Sequence, residues 1–126
     1  MAPSTEQWLK QADYDLDTAR LMFDGARYPY CALMCHMALE KALKGLYQAR
    51  RGEVPPKTHN LVYLISEAQV EAGEAIRRFL AQLAQAQVAA RYPEDLDAVQ
   101  RLYNRPVAQS ILQQTQEAMQ WIRSQL

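Results

Sequence analysis

Pro29-Tyr30-Cys31-Ala32-Leu33-Met34-Cys35-His36-Met37-Ala38-Leu39-Glu40-Lys41-Ala42-Leu43-Lys44 is the stretch on which the fold turns. Its first half is apolar almost all round. A helix with no wet side has to be covered by several neighbours, so the segment predicts a central helix in an all-α protein. Pro29 suits a first helical turn, and the pattern runs on to about Arg50. Gly45, inside it, costs about 1 kcal/mol relative to alanine. A close helix crossing is the expected compensation.

Upstream, Ser4 and Gln7 have the spacing of a capping box. Trp8, Ala12, Leu16, Ala19 and Phe23 then recur every three or four residues, which is one helical face. Gly25 offers a left-handed terminating residue. Downstream, Arg51-Gly52-Glu53-Val54-Pro55-Pro56-Lys57 reads as a loop, because two prolines and a glycine do not continue a helix. Thr58 is placed as an N-cap. Leu61, Leu64, Ile65 and Ala68 give a third helix, broken at Gly73, and Ile76, Phe79, Leu80, Leu83 and Val88 a fourth. Arg91-Tyr92-Pro93 ends that helix, since the residue before proline disfavours α geometry. Residues 94–104 read as a short helix or a pinned loop. Pro106 opens the last helix, with Val107, Ile111, Thr115, Ala118 and Ile122 on its inner face. No segment alternates over strand length. The expected fold is an antiparallel up-down bundle of four main helices plus a short fifth element, one domain over residues 1–126.

Composition bounds the function. The formal net charge is zero, so no global basic field grips nucleic acid and any such contact needs a local patch. No run of apolar residues is long enough to span a membrane, and Met1-Ala2-Pro3-Ser4-Thr5-Glu6 lacks a signal-peptide pattern. A cytoplasmic protein is expected. Cys31 and Cys35, one turn apart on a helix, do not suit a disulfide and have no second pair for zinc. No metal or cofactor is expected.

His36, Glu40 and Lys44, spaced i, i+4, i+8, form one polar stripe on the central helix. The stripe reads as a wet face carrying a favourable Glu–Lys pair, or as the lining of a cleft. Charge is uneven along the chain. Residues 1–24 are acidic, and residues 25–57 carry Arg27, Lys41, Lys44, Arg50, Arg51 and Lys57 against Glu40 and Glu53. Opposite signs attract neighbouring helices; alternatively, the end of the second helix and its loop bind phosphate. His59, beside Lys57 at a helix start, either packs over the first turn or joins an anion site there, where it would also serve as acid or base. Arg91 either meets the terminal carbonyls of its own helix or faces the polar stripe, with Tyr92 free to stack on a base.

These residues, taken together, carry a resemblance. Trp8-x3-Ala12-Asp13-x2-Leu16-x2-Ala19, Gly25-x2-Tyr28, Ala38-Leu39-Glu40-Lys41-Ala42-Leu43-Lys44, Pro55-Pro56-Lys57-Thr58-His59-Asn60-Leu61 and Arg91-Tyr92-Pro93 look like a HEPN domain, in the right order from the first helix to the fourth. The resemblance implies a helix bundle, a homodimer and a small prokaryotic protein that handles nucleotide or RNA. It also implies pairing with a minimal nucleotidyltransferase in a toxin–antitoxin-like couple. Glu40, Lys41 and Lys44 match its second-helix motif, Lys57 and His59 its loop motif, and Arg91 and Tyr92 its fourth-helix ending. The family's ribonuclease branch carries an arginine, four to six residues, then a histidine. Here the window before His59 holds Gly52, Glu53 and Val54, with Arg51 one residue too far, and that before His36 holds Pro29, Tyr30 and Cys31. The binding reading therefore stands ahead of a divergent metal-independent ribonuclease using His59 with Arg51 or Arg91. A dimeric adaptor bundle is the third reading.

Overall fold

The computed structural model describes residues 2–126; Met1, which begins the N-terminal stretch read above, lies outside them. Six helices follow one another: α1 Thr5–Asp24, α2 Tyr28–Arg51, α3 Leu61–Glu67, α4 Glu74–Arg91, α5 Leu96–Leu102 and α6 Arg105–Ser124. Among the described residues there is no strand. The helix count differs from the expected four main helices and a short fifth. Four helices are long, but α3 and α5 have seven residues each. The third apolar stripe ends early, at Glu67, where Ala68 caps the helix and Gln69 takes φ 59°. Gly73, read as a breaker, is instead the N-cap of α4.

Local chemistry sets most of the ends. The Ser4 hydroxyl accepts from Gln7 N–H at 3.1 Å, starting α1. That helix closes one residue later than its glycine suggests. Gly25 keeps φ −87°, and the left-handed residue is Ala26, at φ 60°. Asn60 caps α3, its side chain accepting from Tyr63 N–H at 3.0 Å, while Thr58, the expected cap, accepts from Asn60 N–H at 3.1 Å. Proline stands in the first turn of both α2 and α6.

α2 packs against all five other helices, and Leu39, Leu43 and Leu46 are fully buried along it. Burying side chains of this size stabilises by roughly 2 kcal/mol each. Contacts between the ends of α1 and α2 give their direction: Thr5 meets Gly45, and Asp15 meets Lys41, so the pair is antiparallel. Gly45 marks the crossing. A Cβ there would lie 3.0 Å from Trp8 Cβ and 3.5 Å from Thr5 O, so the missing side chain lets the two backbones approach. Cys31 and Cys35 are free and buried. Val88 departs from its expected inner face, being 57% exposed.

Candidate functional site

The polar stripe of α2 is not a wet face. His36 is fully buried, and the side chains of Glu40 and Lys44 are each only 12% exposed. Their surroundings explain why they are tolerated. Lys44 Nζ lies 3.1 Å from Glu40 Oε2 and 5.9 Å from the centre of the Trp8 ring. The other carboxylate oxygen, Oε1, is 2.8 Å from His59 Nδ1. A carboxylate accepts, so His59 donates from Nδ1. His59 stands just before α3, at the mouth of the seam between α2 and α3, and its ring is 70% exposed. Glu40 is thus held from the α2 side by Lys44 and from the loop side by His59.

His36 sits one turn further in, its Nδ1 3.9 Å from Glu40 Oε1. Neither ring nitrogen makes a well-aligned hydrogen bond, although the His59 backbone approaches the ring closely enough to favour its charged form weakly. Its pKa is pushed down to about 4, chiefly by burial. Glu40 opposes the shift, while the charges of His59 and Arg91 add to it. At neutral pH His36 is uncharged, so its contact with Glu40 is not an ion pair. Arg91 ends α4, and α4 packs against α2. Arg91 itself is exposed and fastened only to Gln87 of its own helix, Nε to Oε1 at 2.8 Å. Tyr92 is 79% exposed.

The remaining candidates are divided differently. Lys41 turns away from the cluster to Asp15 on α1, Nζ to Oδ2 at 2.8 Å, where it neutralises a buried carboxylate. The contact is out of line for a hydrogen bond, so it is Coulombic. Lys57 is exposed in the loop two residues before His59. The basic end of α2 is engaged by protein: Arg50 donates to Gln69 O at 3.1 Å, and Arg51 to Glu67 O at 3.0 Å. Arg51 also lies over the Tyr47 ring at 5.3 Å. It is tied to the far end of α3 from His59. At the start of α3 the Thr58 hydroxyl accepts from Asn60 N–H and the Asn60 side chain accepts from Tyr63 N–H. His36 is the residue whose importance the spacing understated, since a lone histidine on an apolar helix carries no sign of its burial beside a second histidine. Among the described residues no helix is long and apolar enough to cross a membrane, and no three His, Cys, Asp or Glu side chains are grouped to hold a metal ion.

Two solved structures share this fold. TT1696 from Thermus thermophilus is 27% identical, with a TM-score of 0.85 over 97% of this chain and 98% of that one. ST0689, described as an archaeal HEPN homologue, is 22% identical, with a TM-score of 0.78 over 98% of each chain, and shows likeness of fold alone. No curated protein matches the chain. The HEPN domain profile matches residues 5–125. With the profile spanning all six helices, the protein belongs to the HEPN domain family.

Proposed function

We propose that the protein binds a nucleotide or RNA phosphate at the edge of the α2 stripe, using Arg91, His59 and Lys57, with Tyr92 as an exposed aromatic beside them. The observation that carries this is the meeting of His36 and Glu40 of α2 with His59 from the loop before α3, beside which α4, ending in Arg91, packs on the same helix. Glu40 and Lys44 orient His59 and hold the floor, since Lys44 is committed to Glu40 at 3.1 Å. Arg91 and Lys57 have exposed side chains and supply the positive charge that phosphate contacts need. Lys41, fastened to Asp15, is part of the scaffold in this reading. Membership of the family supports a homodimer and a nucleotidyltransferase companion in a toxin–antitoxin-like pair. Light scattering tests the first, and co-purification with that enzyme class the second.

Arg91→Ala is expected to weaken binding of ATP, GTP or a short RNA about tenfold, the loss of one charge-assisted contact. The thermal midpoint stays in place because the side chain is exposed and its hydrogen bond is to Gln87 of its own helix. Unchanged affinity in that variant counts against the site.

A second reading has its own support. Glu40 orients His59 as a paired carboxylate orients a general base, at 2.8 Å. A divergent ribonuclease would use such a pair together with an arginine, Arg51 or Arg91. Incubating total RNA with the protein and with His59→Ala decides it; absence of His59-dependent cleavage removes this reading.

A further inference from the structure

A cavity lies between the start of α2, the end of α4 and α5, and it shares a piece of chain with the proposed phosphate edge. It measures about 200 Å3 and is walled by Pro29, Ala90, Pro93, Leu96 and Val99. Arg27, Tyr30 and Gln100 complete its lining with polar groups. On α4 and its exit the order is Ala90, Arg91, Tyr92, Pro93. The first and last line the cavity, and the two between are the exposed cation and ring of the proposed phosphate site. On α2 the link is periodic. Pro29 and His36 are seven residues apart, so they project from the same face about 10 Å apart along the axis. One helix face thus carries an apolar hollow at one end and the His36–Glu40–His59 cluster at the other.

Size decides what the hollow takes. Sites that engulf a whole small molecule have volumes of roughly 300–1,000 Å3, so a cavity of about 200 Å3 takes only one end of a ligand. The walls are flat or branched and apolar. Gln100 brings both a donor and an acceptor, and Arg27 a fork of donors. That combination suits a planar heterocycle with polar edges. The adjoining cationic edge suits an anionic group attached to it, and the rise of about 10 Å along α2 from Pro29 to His36 leaves room for a sugar and phosphates between the two.

We propose, resting on the nucleotide-binding reading above, that this cavity is the base seat of a single nucleoside triphosphate whose phosphates lie toward Arg91 and His59. Tyr92 then flanks the middle of the ligand rather than holding the base, because an exposed ring gives one face of contact where the cavity encloses.

The test compares two probes, ATP or GTP against inorganic tripolyphosphate, on the full chain by titration calorimetry. Val99→Trp fills the hollow, and Leu96→Trp does so from a half-exposed position that tolerates bulk. In either folded variant nucleotide affinity drops about tenfold, toward that of tripolyphosphate, as the base contacts are lost. Tripolyphosphate affinity stays within about twofold of the parent, a difference under one-third of the tenfold step in free energy. Arg91→Ala lowers both. Unchanged nucleotide affinity in both tryptophan variants overturns the base seat while leaving the phosphate site standing. So does a short RNA that binds where ATP and GTP do not, or a tryptophan variant that changes only the oligomeric mass. A parent protein that binds neither nucleotide nor tripolyphosphate removes the underlying reading and the seat with it.

Discussion

Glu40 and Lys41 are adjacent in sequence and lead to opposite sides of α2, and the two seams they enter differ in kind. On the α1 side, Lys41 meets Asp15, Gly45 lets Trp8 close in, and the contacts are sealed by two long antiparallel helices. Toward α3 and α4, Glu40 meets an exposed histidine, a fully buried one lies behind it, and the exposed Arg91 ends the neighbouring α4. Charge in the first seam is satisfied and enclosed. In the second it is satisfied from within and left accessible from outside. Two neighbouring residues of one helical motif can thus serve the fold and the site separately, because one residue on a helix turns the side chain by about 100°.

The sharpest way to break the contrast is to remove Lys41. Lys41→Met leaves Asp15, only 5% exposed, without its cation, and stability to urea falls by about 3 kcal/mol. The double variant Lys41→Met with Asp15→Leu recovers most of that, since an apolar pair of similar volume no longer buries a charge. Glu40→Gln, on the open seam, costs less than half as much.

His36 supplies a pH signature to the second seam. Its folded pKa of about 4 lies below the ordinary value of 6.5. The unfolded chain therefore takes up this proton first as pH falls. The contribution is complete above pH 6.5 and is lost progressively down to about pH 4, reaching up to about 3 kcal/mol. Subtracting the stability-against-pH curve of His36→Leu isolates it. A flat difference between pH 6.5 and 4 would contradict the burial of the ring.

Gly45→Val tests the closed seam by crowding. Its added carbons meet Trp8 Cβ, already 3.0 Å from where a Cβ would stand, and overpacking of this kind costs about 2 kcal/mol. Smallest of all is the effect of Arg91→Ala on stability, under about 0.5 kcal/mol because the residue is exposed. That silence in unfolding, set against lost nucleotide affinity, separates the open seam from the closed one.

Much of the fold was legible in the chain because it rests on local rules. The apolar run from Cys31 to Leu39 announced a helix covered on all sides, and α2 is that helix. Ser4 and Pro29 mark helix starts through hydrogen bonds and dihedral preferences that act within a turn. Where the reading slipped, two local signals competed. Thr58 and Asn60 both suit a cap, and Asn60 holds it. Gly25 and Ala26 both adjoin the end of α1, and the alanine turns left-handed as the chain reverses into α2.

The candidate site was legible as a list of residue types and illegible as an arrangement. Spacing put His36, Glu40 and Lys44 on one stripe, yet a stripe looks the same whether solvent or another helix lies against it. Periodicity fixes the angle of a side chain about its own axis and says nothing of what occupies the space opposite. The amino-acid sequence by itself determined the helices, the motif of the family and the central place of α2. Only packing decided that the stripe is buried, that Lys41 serves Asp15, that Arg50 and Arg51 are engaged by carbonyl groups of α3 and its exit, and that His59 closes on Glu40. Those outcomes depend on where distant segments cross, and crossings are set by the fit of whole helices rather than by any one stretch of residues.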